Sequence, residues 1–228
     1  MWWFIFSMIC FTIIIVFEYY SSETLIYSDD PICNKLYETP NNIERAVIKN
    51  LLTDEECDHI MNEGIEHAKN NKWTLKRHNE YPTTDNQITF DWTCYDLLQL
   101  RLTNRVYEEL SKLFHIDSQN LGLNEMFIAK YEPTKQNNLI KHTDGSEFSF
   151  IIALNDDYEG GGTYFTKEDT LVKLHKGDCL IFSGQNEHQG NATTSGRRFI
   201  VTGFLHYISE NYCCYDLLTI AKDFFVTI

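Results

Sequence analysis

His142-Thr143-Asp144-Gly145-Ser146-Glu147 leads directly into Phe148-Ser149-Phe150-Ile151-Ile152-Ala153-Leu154-Asn155. The second half of this stretch is an apolar run of strand length, rich in Phe and Ile and bounded by polar turn residues. Runs of the same kind surround it: EMFIAKY (125–131), GTYF (162–165), LVKL (171–174), DCLIF (178–182) and RFIVTGFLHY (198–207). Gly160-Gly161-Gly162, Lys176-Gly177-Asp178 and Ser195-Gly196 punctuate them. Many short strands at this spacing specify a sandwich or barrel.

Upstream the pattern changes. Ala46 to Lys49 reads as a short strand, and Thr53 opens a helix through a T-x-x-E capping box with Glu56. Cys57, Ile60, Met61, Ile65 and Ala68 follow at helical spacing, and Asn70 and Asn71 end the helix. A second helix is predicted from about Tyr95 to Phe114, with its stripe at Leu98, Leu102, Val106, Leu110 and Leu113. Helices followed by strands give an α+β domain, in which N-terminal helices brace one face of a jelly-roll barrel. The expected organisation is a membrane-anchor or signal segment over 1–20, a polar stalk over 21–44 and the folded domain over 45–228, with its core at 125–207.

The anchor expectation rests on WWFIFSMICFTIIIVF (2–17), which carries no charge and, extended to Tyr20, has aromatic residues at both ends. Such a helix would be about 28 Å long, close to the thickness of a thin bilayer. A cleaved signal peptide is the rival reading, but there is neither a basic n-region nor a small-x-small cleavage site. The positive-inside rule places the folded domain weakly in a lumen or outside. The formal net charge of −14 disfavours a nucleic-acid partner. Seven cysteines show no zinc-type spacing. Cys57 and Cys179 read as core residues, whereas Cys33, Cys94, Cys213 and Cys214 are disulfide candidates in a lumen. Asn191-Ala192-Thr193 is a glycosylation sequon that matters in the same compartment.

In an extended segment, residues two apart share a face, so His142 and Asp144 can offer an imidazole nitrogen and a carboxylate oxygen to one point. His188, after the strand at 178–182, can return to the same barrel mouth. Two histidines and one carboxylate form the facial donor set of non-haem iron(II) oxygenases, with open positions for a co-substrate and dioxygen. Arg198 enters a largely apolar strand and calls for an anion, which a dicarboxylate would supply through a two-pronged hydrogen bond. Arg197 reads as a surface residue.

HTDGSEFSFIIALNDDYEGGGTYF (142–165) and KGDCLIFSGQNEHQGNATTSGRRFIV (176–201) together resemble the catalytic core of the procollagen prolyl and lysyl hydroxylases and their 2-oxoglutarate oxygenase relatives. The resemblance covers roughly 125–207, with H-x-D, the Y-x-G-G-G-x-x-F hairpin, the K-G-D turn and H-x-G…R-F in the family's order; a weaker likeness reaches KRHNEYPTTD (76–85). It implies a double-stranded β-helix, iron(II) held by His142, Asp144 and His188, and 2-oxoglutarate held by Arg198. Tyr131 matches a tyrosine that touches the co-substrate in many members, although a core or rim tyrosine is an equal reading. Tyr131-Glu132-Pro133-Thr134 lacks the glycine usual there, which leaves the shape of that loop open.

The implied activity is a dioxygenase that consumes O2 and releases succinate and CO2, with ascorbate commonly sustaining the iron. A peptide or protein substrate is expected, with prolyl hydroxylation favoured by analogy with compact relatives. Lysyl hydroxylation, a small-molecule substrate, a cupin-type metalloprotein and a non-catalytic barrel module are the alternatives. His59 and His67 read as solvated, and His115, His175 and His206 lack ligand partners at useful spacing. His78 reads as a loop histidine, and Tyr81 to Asp85 as candidate lining of a substrate groove.

Overall fold

A computed structural model describes residues 45–75, 77–78 and 80–207. The expected membrane segment, the stalk and the cysteines at 33, 213 and 214 lie outside the described residues. No helix among the described residues is long and apolar enough to cross a membrane.

Alternating side chains build a two-layered barrel. The major sheet has the order β1-β9-β5-β12-β3-β2. These strands are β1 (Arg45–Ile48), β2 (Asp85–Gln87), β3 (Leu121–Tyr131), β5 (Phe148–Ala153), β9 (Cys179–Ser183) and β12 (Arg198–Tyr207). The minor sheet runs β4-β10-β7-β8, from β4 (Leu139–His142), β7 (Thr163–Phe165), β8 (Thr170–Val172) and β10 (His188–Gly190). A third pair, β6 (Glu159–Gly160) with β11 (Thr193–Ser195), sits beside the glycine run. The named pairings are antiparallel, and β5 and β12 are buried along most of their length. One face of the major sheet carries Phe127, Tyr131, Ile151, Leu180, Phe182 and Ile200, which close a core together with Phe165 of the minor sheet. This is the expected double-stranded β-helix.

The opposite face is covered by helices. Helix α1 (Asp54–Asn71) starts at the capping box: Thr53 Oγ accepts from Glu56 N–H, and the Glu56 carboxylate accepts from Thr53 N–H. Its contact with the sheet differs from the predicted stripe. Met61 and Ile65 are half-buried, while Cys57, Ile60 and Gly64 are buried. Gly64 permits this shift, because a Cβ there would lie 2.6 Å from Ile128 Cδ1 of β3. The second predicted helix is present as α2 (Tyr95–Arg101), a π-helical stretch at Leu102–Val106 and α3 (Tyr107–Phe114). A strict four-residue repeat outruns a turn of about 3.6 residues, so an unbroken α-helix would rotate the stripe off the sheet. The wider π turn takes up part of the excess. Leu98, Leu102, Val106 and Leu110 are consequently all buried, and Phe114 meets Phe148 at a ring separation of 4.6 Å. Cys94, a disulfide candidate from sequence, is instead buried as a free thiol, like Cys57 and Cys179.

Gly64→Val forces a branched side chain against fully buried Ile128. It is expected to destabilise the domain by about 1–3 kcal/mol, with part of the loss recovered in the Gly64→Val/Ile128→Ala double variant. Urea unfolding of the four proteins measures this coupling.

Candidate active site

Strand register brings the two histidines together. His142, the last residue of β4, lies directly across from His188, the first residue of β10, with imidazole centroids 4.4 Å apart. Each Nδ1 is engaged at 2.8 Å by a backbone carbonyl two residues earlier, Ile140 O for His142 and Asn186 O for His188. Both Nε2 atoms are thereby left to face Asp144: His142 Nε2 is 3.4 Å from Oδ1, and His188 Nε2 is 3.8 Å from Oδ2. The donor atoms of the three residues lie within 4.8 Å of one another, the single such three-residue group of His, Cys, Asp or Glu among the described residues. Asp144 is located by two bonds, its N–H donating to Gly184 O at 2.8 Å and its Oδ2 accepting from Ser149 Oγ at 2.5 Å.

Electrostatics suit a metal. Burial works to raise the Asp144 carboxyl, but His142, His188 and Ser149 outweigh it and hold the group below its ordinary range. Burial is the main cause lowering His188, which favours the neutral imidazole that offers a lone pair to a cation. The donor set, with both Nδ1 atoms tied back, fits a divalent iron.

Arg198 marks the other end of the cavity, which has a volume of about 180 Å³ and is walled by both sheets. The residue is 4% exposed, yet no carboxylate among the described residues pairs with it. Its Nη1 donates to Gly162 O at 3.4 Å, and its Nε is buried without a partner. A buried guanidinium so poorly satisfied is costly unless an anion arrives. A bidentate carboxylate fits this end of the cavity. Gly161 makes room for the side chain: its φ is +61°, and a Cβ there would lie 3.2 Å from Arg198 Cδ. Tyr131, directly across from Arg198 on β3, turns its ring to the guanidinium at 5.6 Å. Burial raises the Tyr131 hydroxyl to about 12, with Arg198 acting in the opposite direction. Arg197, by contrast, is exposed.

Two supporting residues escaped the sequence reading. Ser149 sits on the inner face of β5 and holds Asp144; its signal was a buried hydroxyl within an otherwise apolar strand. Asn155 spans Arg198, accepting from Phe199 N–H at 2.8 Å and donating to Arg197 O at 2.7 Å. Nothing in local sequence links positions so far apart. The loop without its glycine closes by a bond from Glu132 N–H to Gln136 O, and Lys130 and Lys135 both pair with Glu132. Ser149→Ala frees one side of Asp144 and is expected to weaken iron(II) or cobalt(II) binding about 10–100-fold, as read by metal titration of the full chain.

Comparison with known proteins agrees with this geometry. Residues 126–206 match the family model of the 2OG-Fe(II) oxygenase superfamily. Procollagen-lysine,2-oxoglutarate 5-dioxygenase 1 of Rattus norvegicus is 31% identical over 173 residues, covering 68% of this chain and 23% of that protein. The chain thus spans about a quarter of the length of the curated relatives it matches. Among solved structures, a viral collagen prolyl hydroxylase from Paramecium Bursaria Chlorella virus-1, in complex with 2OG, superposes with a TM-score of 0.57 at 18% identity, over 72% of this chain and 97% of that one. A Pseudomonas putida prolyl-4-hydroxylase superposes with a TM-score of 0.56 at 13% identity, over 78% and 98%. These two share the fold. Residues 126–206 thus carry the core of the 2OG-Fe(II) oxygenase superfamily together with a His-Asp-His cluster, and the chain is procollagen-hydroxylase-like.

Proposed function

We propose that this chain is an iron(II)- and 2-oxoglutarate-dependent dioxygenase that hydroxylates a residue within a peptide. The observation that carries the reading is Arg198: a buried guanidinium without an acidic partner among the described residues, in the same cavity as two histidines and a carboxylate. In this reading His142, Asp144 and His188 hold the iron, and Arg198 grips the distal carboxylate of 2-oxoglutarate. When bound, the iron supplies the oxidising chemistry that couples decarboxylation of 2-oxoglutarate, giving succinate and CO2, to oxygen transfer from O2. The protein's own contribution is orientation and exclusion of water. Tyr131, protonated at neutral pH, keeps a hydrogen to donate at the anion end. Phe127, Ile151, Phe182 and Ile200 supply apolar walls.

For the target residue, proline is the reading favoured by charge. Asp144 is the one carboxylate lining the cavity among the described residues, and it is committed to the histidines, so no acid remains for an ammonium group. Lysine is the second reading, favoured by the lysyl hydroxylases among the sequence relatives. A non-catalytic module is disfavoured because all three ligands and the arginine are present. The apolar run at 2–17 supports membrane attachment with the domain in the endoplasmic reticulum lumen or outside the cell, and ascorbate is proposed as the reductant that sustains the iron.

The test is succinate formation by the full chain with iron(II), 2-oxoglutarate, ascorbate and air, with proline-rich and lysine-rich collagen-like peptides in separate runs. Peptide-stimulated succinate with a mass gain of about 16 on the peptide, one oxygen atom, is expected, along with its loss in His142→Ala. Arg198→Leu is expected to raise the KM for 2-oxoglutarate about tenfold or more, the scale of a lost charge-assisted pair. No iron-dependent succinate from folded, metal-loaded protein would sink the oxygenase reading.

A further inference from the structure

The cavity has a second end, walled in part by His78, Tyr81 and Thr83 of the segment that leads into β2. Several bonds strap this segment to β3 and the loop after it. Arg77 pairs with Asp85 and with Glu125 of β3, its guanidinium 5.0 Å from the Phe127 ring. Thr84 O accepts from Lys130 N–H at 2.9 Å. The Gln136 amide reaches across from the loop, donating to Pro82 O at 2.6 Å and accepting from Thr84 N–H at 2.5 Å. These bonds hold the chain on either side of His78 and Tyr81.

Three side chains of the segment line the cavity: His78, Tyr81 and Thr83. The Thr83 hydroxyl is committed to buried Asp85. The other two keep polar atoms unspent. His78 lies against Phe127 and Phe204, with ring separations of 4.9 and 6.2 Å, and its Nε2 is buried without a hydrogen-bond partner among the described residues. Asp85 Oδ2, which accepts from the Thr83 hydroxyl, lies 3.8 Å from this nitrogen, beyond hydrogen-bond distance. Tyr81 lays its ring beside His142 at 4.9 Å, close to the metal-binding cluster. Arg198 claims the anion at the opposite end, so the strap end is left for the molecule to be oxidised.

Resting on the peptidyl-hydroxylase reading above, we propose that His78 and Tyr81 are specificity-determining residues that recognise the substrate's main chain. An imidazole N–H of His78 and the hydroxyl of Tyr81 donate to peptide carbonyls on either side of the residue presented to the metal. Peptide carbonyls recur whatever the side chain, and a small molecule without amides would leave both donors unmatched. The aromatic floor of Phe127 and Phe204 packs the apolar part of the target residue.

The experiment uses the full chain and whichever collagen-like peptide stimulates succinate formation, with a labelled copy of that peptide for binding by fluorescence anisotropy. His78→Phe keeps the ring contacts and removes the nitrogens, and Tyr81→Phe removes one hydroxyl. Each is expected to raise the peptide's KM and Kd about five- to tenfold, the scale of one hydrogen bond. The KM for 2-oxoglutarate should move less than about twofold. His78→Gln, which keeps a side-chain N–H, should return to within about twofold of the parent. Unchanged peptide Kd in both Phe variants, beside intact peptide turnover, overturns the assignment alone. Peptide and 2-oxoglutarate KM values rising together also overturn it, because the segment would then act on the cavity as a whole. If no peptide stimulates the parent protein, the peptidyl reading fails and the assignment falls with it.

Discussion

The position of β10 between β4 and β7 is the constraint on which the site depends. Side chains alternate along a strand, so a slip of one residue would send His188 to the outer face and Gln189 into the barrel. The observed register sets His188 across from His142 on one side and Phe165 on the other. Phe165 and Phe182 both pack near the imidazole, with ring separations of 6.0 and 4.8 Å. The packing that closes the core therefore also keeps the histidine in register. The same logic explains why each Nδ1 is bound to a local carbonyl: the strands set where the rings lie, and these bonds set which nitrogen is offered.

At the far end of the cavity the problem is electrostatic. A cation is held in a largely apolar wall with little to neutralise it. Such a group persists because the backbone around it is over-determined. β12 is paired on both sides, with β3 and β5, and Asn155 secures the residues before and after Arg198. Stability elsewhere in the sheet offsets the local cost, a common arrangement where a protein keeps a site ready for a charged ligand.

Much of this was legible in the chain. The long strands at 125–131, 148–155 and 198–207 declared themselves because they are buried and apolar, and the capping box located α1. The His142, Asp144, His188 and Arg198 set could be picked out because its spacing suits one point in space and its residue types suit one chemistry. Shorter elements were not legible. β2, β4, β10 and β11 are three or four residues long and largely polar, so neither periodicity nor propensity separates them from loops. The contact through Gly64 was hidden because an apolar-stripe reading assigns no role to a residue without a side chain. Asn155 and Gln136 act across distances in sequence that no local pattern records.

The order of the major sheet bears on how the chain can be made. β12 is the last of the described strands along the chain, yet it lies in the interior of the sheet, between β5 and β3. Until synthesis passes Tyr207, β3 and β5 each present an unpaired edge flanked by buried apolar side chains. A nascent chain in that state can neither close its barrel nor bury Arg198, and its open edges invite pairing with other chains. Completion of the domain must then proceed by long-range insertion, a slow class of step for a polypeptide. Truncation within β12 would thus leave an aggregation-prone open sheet in place of a smaller working barrel.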